Sequence, residues 1–540
     1  MLHSMENIYL SYNTGFVIKI ITNRLQKLKY NSSIKCYVIE EDGFRPEKEY
    51  KHLGYNQLSL RHAVSQAIGL NAPGGTIVLY VAGTAALLTF TFSKYPDGAF
   101  AIPLILLMAL IVYSMMSYSS YEFSKYLSSS EGYYTFVANG LGRGLGLTTA
   151  LSYISYQILS FTGFGILGFI GFAYAILPSL GIAVPYVNIL WIPVTVSFIL
   201  FVSFLIYKGI KPSLKYVSYA ILIEVIFFVA TSIYLIGVNH ASLSIKPFTA
   251  IPVGGNFIIL MAMMVYAIGS FVGVGGSIPI AEETKNPKKN VPRSIIASIV
   301  ILGVTIILAS YAEVISWGYV NMSSFGTGAG IGAYPVLSIY KNGFAGMSLI
   351  PFVVLLIIVI NSFFTATVSL GTNASRVIFS LSREGVVSEK LSRTNTRGVP
   401  VYAILLITIV SLAIVISTGV AFELLYPGQI IDALLYSSVF LLVLESPISY
   451  IVHILTNTSL HMYLKKKGMK THIFRHIIIP GISSITLVAA IIAAVYFDLS
   501  APYIYGVYGS LVWVAVIAIT VVVMYTKYRN HMNNLGDFTL

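Results

Sequence analysis

The chain has 540 residues, of which 56% are hydrophobic and 10% charged, and its formal net charge is +13. Soluble domains carry about 45–50% apolar and about 25% charged residues, so this composition excludes an ordinary soluble fold. The single cysteine, Cys36, excludes an internal disulfide and a cysteine metal cluster. The composition therefore indicates a protein that crosses a membrane many times.

The first 57 residues precede the first long apolar segment and contain eight lysines and arginines. Residues 8–22 are moderately apolar, but they are too short and too polar to cross a bilayer. They also lack the small-residue cleavage site of a signal peptide. We predict that residues 1–57 form a cytoplasmic N-terminal segment, to which the sequence assigns no role.

Twelve hydrophobic segments follow, and we name them spans 1 to 12 because each is long enough to cross a bilayer as a helix. They cover residues 60–92, 98–126, 144–177, 186–207, 212–238, 255–281, 293–320, 346–380, 400–418, 429–455, 477–497 and 503–526. The connections after spans 4, 6, 8 and 10 are rich in lysine and arginine, whereas those on the opposite side hold only Lys94, Lys246 and Lys341. The positive-inside rule then places both termini in the cytoplasm of a multi-pass cell-membrane protein.

Two of the spans are interrupted by similar glycine-containing stretches. Span 1 contains AIGLNAPGGT at Ala67–Thr76, and span 6 contains AIGSFVGVGGS at Ala267–Ser277. Spans that are five apart enter the membrane from opposite faces, so matching interruptions predict an inverted repeat and mark a transporter's binding site. Glycines also serve close helix packing, and the Gly269/Gly273 spacing alone fits that alternative.

A broken helix exposes backbone groups, and these survive in the membrane only where protein or a water-filled cavity covers them. The N–H groups at the start of a half-helix attract a carboxylate. Free carbonyl oxygens attract an ammonium or a metal cation. An amino acid carries both of the complementary charges, so the two interruptions favour an amino acid as the ligand.

The stretch SFVGVGGSIPIAEETKNPKKNVPRSI, Ser270–Ile295, resembles the signature of amino acid permeases in the amino acid–polyamine–organocation superfamily. Residues 120–142 resemble that family's exit from span 2, and Asn373–Gly385 resembles the end of span 8. The resemblance extends over roughly residues 58–460. It implies an all-α, LeuT-type fold of about twelve transmembrane helices, built as a five-plus-five inverted repeat in which helices 1 and 6 are broken. Substrate would bind between these two helices, and the site would open alternately to the two sides of the membrane.

The implied organisation divides the chain into five parts. They are residues 1–57, the N-terminal segment; 58–238 and 239–460, the first and second five-helix repeats; 461–526, helices 11 and 12; and 527–540, a cytoplasmic tail. The chain departs from the family in span 1, where many relatives carry Gly-x-Gly and this chain has Gly69-Leu70-Asn71-Ala72-Pro73. It also departs in span 5, where some relatives hold a lysine and this chain has Glu224.

The interruptions and one polar face of span 3 supply the predicted substrate-binding residues. These are Ile68, Gly69, Leu70, Asn71, Ala72, Pro73, Gly74, Tyr156, Ser270, Phe271, Val272, Gly273 and Gly275. Phe271 could close over a substrate or simply pack in the core. Tyr153 and Gln157 accompany Tyr156 on the same face of span 3.

Glu224 is the predicted coupling residue, since a carboxyl near the middle of a span is costly and is a functional hypothesis by default. The alternative is a permanently neutral carboxyl that bonds to a neighbouring helix. Glu445 in span 10 is the rival coupling residue. Thr365 and Ser369, with Ser362, place hydroxyls along one side of span 8. They could bind a cation, or bond back to their own helix.

These residues together predict a secondary active transporter for amino acids, a symporter coupled to protons or to sodium, with no cofactor and no catalytic residue. Membrane lipid is the other expected partner. Nucleic acid is not an expected partner, because the positive-inside rule already explains where the basic residues lie. A polyamine or organic-cation exchanger is the nearest alternative. An antiporter-like subunit of a respiratory complex would need several intramembrane lysines, and a membrane enzyme would need clustered histidines or acids; the sequence has neither.

Overall fold

The computed structural model describes residues 37–40, 43–46, 53, 56–182, 186–329, 334–344, 346, 348–527 and 535–536. Most of the predicted segment 1–57, including residues 8–22, lies outside the described residues. Within that segment Tyr37–Glu40 and Gly43–Pro46 pair as antiparallel strands, β1 and β2.

Eleven helices within the described residues are long and apolar enough to cross a membrane. They form spans 1 to 5 and 7 to 12, with the bounds Leu60–Thr91, Gly98–Phe123, Arg143–Leu177, Val187–Lys208, Ile210–Val238, Pro287–Trp317, Leu349–Arg383, Val401–Leu425, Ile430–Lys466, Phe474–Tyr496 and Tyr503–Lys527. Span 6 is helical only over Phe257–Phe271. At about 1.5 Å per residue, this helix is too short to cross the bilayer by itself.

The degree of burial identifies the spans at the centre of the bundle. In the most apolar 18-residue stretch of each span, 83% of the residues are buried inside the protein in spans 1 and 3, but only 17% in span 12. Spans 4, 5 and 12 turn many apolar side chains outward, as expected for helices that face lipid tails. Short helices at Tyr133–Leu141, Met322–Ala329 and Tyr334–Asn342 lie in the connections.

The broken spans are the first and the sixth of the bundle. Span 1 consists of Leu60–Asn71, Pro73–Thr76, a π-helical turn and Ala82–Thr91. Span 6 leaves regular helix after Phe271. Each broken helix therefore begins a set of five spans, which confirms the predicted fold class: an all-α membrane bundle with a five-plus-five inverted repeat.

Buried ion pairs join three connections on the membrane face at which span 1 begins, which we call the N-terminal face. Glu282, after span 6, accepts hydrogen bonds from Arg383 of span 8 at 2.8 and 3.1 Å, and from the Ser130 backbone N–H at 2.9 Å. Glu283 pairs with Arg376 at 3.2 Å. The Lys285 N–H donates to the Leu58 carbonyl at 2.8 Å, which ties the start of span 1 to the exit of span 6.

Two further carboxyls, Glu131 and Glu384, lie close to each other beside this cluster. Glu384 also accepts from the Tyr134 hydroxyl at 2.9 Å and from the Gly536 backbone N–H at 2.7 Å. Burial raises the pKa of both carboxyls, and the proximity of Glu384 raises the pKa of Glu131 further. The folded protein therefore holds protons here that the unfolded chain releases.

We expect the stability of the protein in detergent to fall as the pH rises from about 5 to about 8, by roughly 1.4 kcal/mol for each unit of raised pKa. The unfolded carboxyls ionise above their ordinary pKa of 4.5, whereas the folded ones keep their protons to higher pH, which for Glu384 means to a pKa of about 7. Glu384→Gln should remove part of this fall, and melting temperatures across the pH series measure it. The control is Glu423→Gln, at a partly exposed site in span 9. An unchanged pH slope in Glu384→Gln would contradict the assignment.

Candidate functional site

Span 1 is interrupted at Ala72, as predicted. The Ala72 backbone lies in the left-handed region, with φ 50° and ψ 80°. Pro73 follows, and a proline disfavours helical geometry in the residue before it and has no N–H to donate. The helix that starts at Leu60 therefore ends at Asn71, and a second helix begins at Pro73.

The N-terminus of this second helix is capped by side chains from other spans. The Gly74 N–H donates to Glu224 of span 5, and the Gly75 N–H donates to the Ser362 hydroxyl of span 8 at 3.0 Å. Ser362 in turn donates to Glu224 at 2.6 Å. A helix N-terminus has unpaired N–H donors and partial positive charge, so a carboxyl is a well-matched cap. The predicted coupling residue thus contacts the span 1 interruption directly.

Span 6 passes from α-helix at Phe257–Ala267 to a 3₁₀ turn and then to irregular backbone. The freed carbonyls of Ser270 and Val272 both accept from the Asn71 side-chain amide, at 2.7 and 2.9 Å. Gly273, with φ 116°, lets the two broken spans approach closely, because a Cβ there would lie only 2.8 Å from the backbone nitrogen of Asn71. The two interruptions therefore meet and bond to each other.

A small cavity lies where the broken spans face spans 3 and 8. Its volume is about 10 Å³. That is room for about one water molecule, so the site is closed around its centre in this conformation. The lining residues are Leu70, Asn71, Tyr80, Ser160, Phe164, Gly269, Val272 and Leu370. The lining is largely apolar, with Asn71, Tyr80 and Ser160 as its polar members.

Three of the lining residues, Leu70, Asn71 and Val272, were predicted to bind substrate. Phe271 is fully buried but does not line this cavity. Tyr156 contacts the Tyr153 ring edge-on, at 4.9 Å between ring centroids, and is also outside the lining.

The other predicted residues near the breaks support the backbone. The Ile68 carbonyl accepts the Ala72 N–H at 2.8 Å, which is the last bond of the first half-helix. A Cβ on Gly69 would lie 2.7 Å from Val217, and one on Gly275 would collide with the Tyr133 hydroxyl. These two glycines therefore allow close packing, the alternative raised by the sequence.

The hydroxyls of span 8 divide between two uses. Ser362 bonds to Glu224, whereas Thr365 bonds back to the Ser362 carbonyl at 2.9 Å. The Ser369 hydroxyl is buried and has no hydrogen-bond partner within the described residues. Thr365 thus makes the bond that the helix-bonding alternative predicts, although its oxygen keeps lone pairs, so Thr365 and Ser369 both stay predicted cation ligands.

Three of the other acidic residues in the spans differ in their surroundings. Glu445 is completely buried and accepts from the Ser160 hydroxyl at 2.7 Å. Glu313 in span 7 is also buried, and its Oε2 has no partner in the part of the chain that the structure describes. Asp432 is partly exposed. Of these, only Glu445 bonds to a residue that lines the cavity.

Five of the lining residues were not among the substrate-binding residues predicted from the sequence. They are Tyr80, Ser160, Phe164, Gly269 and Leu370. One available signal was the stretch FTGFG after Ser160, which forms part of a π-helical turn at Phe161–Gly168. Such turns frequently occur at functional sites.

Two interrupted helices that meet inside a membrane-spanning bundle, next to a small cavity, are the arrangement found at the binding sites of membrane transporters. The chain matches the family described as "Amino acid permease" over residues 77–534, and it belongs to that family. The match begins just after the span 1 interruption. Family membership makes this protein a transporter of the amino acid permease type.

The chain is similar to two curated permeases and to solved transporter structures. It is 25% identical to the branched-chain amino acid permease BcaP of Bacillus subtilis over 346 residues, 61% of this chain and 68% of that protein. It is 25% identical to BcaP of Lactococcus lactis over 164 residues, 30% of this chain and 32% of that protein. A manganese transporter of Eremococcus coleocola aligns with 88% of this chain and 95% of its own, at 11% identity and a TM-score of 0.44.

Proposed function

We propose that the protein carries amino acids with aliphatic side chains across the cell membrane by alternating access. The observation that carries this proposal is the pair of span 6 carbonyls, Ser270 and Val272, which converge on one amide group at the cavity. A substrate ammonium can take the place of the Asn71 amide, because it offers N–H donors to the same carbonyls. The family and the curated relatives support this choice of substrate.

The lining of the cavity favours an aliphatic side chain. Leu70, Val272, Leu370 and Phe164 present apolar surface around the polar groups. Binding sites for small molecules combine such surfaces with a few placed polar groups that orient the ligand. Leucine, isoleucine and valine fit this description, once the broken spans separate enough to enlarge the cavity.

We propose further that Glu224 couples transport to protons. Its carboxyl bonds to the Gly74 N–H and to Ser362, and its Oε2 has no partner within the described residues. A change in its protonation alters the cap on the half-helix that must move with the substrate site. Sodium is the alternative coupling ion, with Ser369 and Thr365 as its candidate ligands.

The proposed orientation places the N-terminal face and both termini in the cytoplasm. Its basis is the alternation of basic and non-basic connections along the chain. The basic connections also lie where anionic lipid headgroups would contact them.

A polyamine or organic-cation exchanger is the second candidate, and Glu445 is the observation that favours it. Its carboxyl lies one hydrogen bond behind the cavity, through Ser160. However, no acidic side chain lines the cavity itself within the described part of the chain. An amino acid, with its own carboxylate, is therefore the better match.

Uptake into proteoliposomes tests these proposals. The purified full-length protein should accumulate labelled leucine, isoleucine or valine when an inward proton gradient is imposed, and unlabelled aliphatic amino acids should compete. Uptake of putrescine without competition by any amino acid would favour the exchanger. Protein-free liposomes are the control, and no uptake of any amino acid would contradict the proposed function.

A further inference from the structure

Glu445 is a buried carboxyl that the proposed transport cycle does not use. Its side chain is completely inaccessible to solvent, in the middle of span 10. One oxygen, Oε2, accepts from the Ser160 hydroxyl at 2.7 Å, and the other has no hydrogen-bond partner within the described residues. None of the ion pairs found among those residues includes it. An intramembrane carboxyl of this kind is costly to maintain, so its single contact calls for an explanation.

That contact fixes the hydrogen-bonding character of Ser160. A serine hydroxyl has one proton to donate and two lone pairs to accept with. When Glu445 is ionised, Ser160 is the donor in this contact, so only lone pairs remain for the cavity that Ser160 lines with Asn71 and Tyr80. The carboxyl behind the hydroxyl strengthens this polarity, since hydrogen-bonded groups polarise one another in a medium of low dielectric constant.

The acceptor character of Ser160 matches that of the span 6 interruption. The carbonyls of Ser270 and Val272 reach the same cavity region through Asn71, so acceptors contributed by spans 3 and 6 border one small space. A group with several N–H donors and a positive charge satisfies such a space best. Of the two charged groups of an amino acid, the ammonium has these properties, and the carboxylate does not.

We propose that Ser160 accepts a hydrogen bond from the ammonium of the substrate and that Glu445 is the positioning residue that makes Ser160 an acceptor. The pair thereby selects compounds with a free amine over analogues that lack it. This inference rests on the proposed amino acid transport and assigns a specificity determinant to the same site.

A double-mutant cycle on the full-length protein tests the proposal. The probe is leucine, with 4-methylpentanoic acid as the matched compound that lacks the amino group. In Glu445→Gln the new amide can donate to Ser160 and turn its proton toward the cavity. We expect Glu445→Gln and Ser160→Ala each to weaken leucine binding by about tenfold to about a hundredfold, the range for a hydrogen bond to a charged group. The double variant should bind leucine no more weakly than the weaker single variant, because both changes remove one interaction.

Ser438→Ala is the matched control. Ser438 also joins spans 10 and 3, by donating to the Gly163 carbonyl at 2.7 Å, but it does not line the cavity. It should lower thermal stability without changing the preference for leucine over 4-methylpentanoic acid. Glu445→Gln and Ser160→Ala should reduce that preference.

Folded Glu445→Gln and Ser160→Ala variants that bind leucine as tightly as the wild type would overturn the inference and leave the proposed function intact. Losses that add in the double variant, or an equal loss in Ser438→Ala, would overturn it as well. A wild-type protein that binds no amino acid would overturn both.

Discussion

Glu224→Gln is expected to abolish amino acid accumulation driven by a proton gradient, while substrate still equilibrates across the membrane. The glutamine carbonyl can accept the Gly74 N–H as Glu224 does, so the cap on the half-helix persists. Glutamine cannot bind and release a proton, so the proton gradient can no longer drive the accumulation of substrate. With one proton per substrate, a gradient of one pH unit supports up to about tenfold accumulation in the wild type, because 1.4 kcal/mol corresponds to tenfold.

Proteoliposomes loaded at one pH and diluted into another measure this accumulation with labelled leucine. Glu313→Gln is the control, since Glu313 is a buried carboxyl in span 7 for which the structure shows no hydrogen bond to either interruption. It should accumulate leucine as the wild type does. Full accumulation by Glu224→Gln would exclude Glu224 as the coupling residue. A Glu445→Gln variant that still equilibrates leucine across the membrane but no longer accumulates it would transfer that role to Glu445.

Arg376→Met should be strongly destabilising. It leaves Glu283 buried without its partner, from which the Arg376 Nε now lies 3.2 Å away. Both side chains are almost completely buried, at 1% and 3% exposure, so water cannot replace the lost charge. Removing one member of a buried ion pair costs about 3–5 kcal/mol. We expect a large drop in melting temperature and in the yield of folded protein.

The double variant Arg376→Met/Glu283→Gln distinguishes the cost of the unpaired Glu283 charge from the cost of the packing lost with Arg376. Replacing both charged partners by neutral groups of similar shape is often close to neutral, so the second change should restore much of the lost stability. Thermal unfolding in detergent, followed by size-exclusion chromatography, compares the variants. A double variant less stable than Arg376→Met would show that the buried charge is not the cause.

The spans were the most predictable part of this protein, and the reason is the bilayer itself. A helix that must be apolar over about 20 residues leaves a clear pattern in the sequence. Span 6 shows the limit of that pattern. Its residues 255–281 contain no charged side chain, but Gly273 and Gly275 lie where regular helix has ended. Composition therefore identifies the span without showing that its second half is irregular.

The site was predictable only where the sequence contains residues that interrupt a helix. Pro73 and the glycines around it revealed the interruption in span 1. Ser160 carries no such mark, because a serine on a membrane helix usually bonds back to its own helix, and only the packing of span 10 against span 3 brings Glu445 to it. Likewise, Glu224 was recognisable as a buried charge, but its position at the Gly74 N–H depends on how three helices meet.

The amide of Asn71 occupies the two span 6 carbonyls in the conformation described. It is thus an intramolecular competitor for the position that the substrate ammonium would take. The free energy of binding is then the difference between two sets of similar hydrogen bonds rather than the full value of one set. Such a site binds with modest affinity and lets its ligand leave readily. A carrier that must empty in every cycle gains turnover rate from that exchange, and the departing substrate leaves no buried carbonyl unpaired.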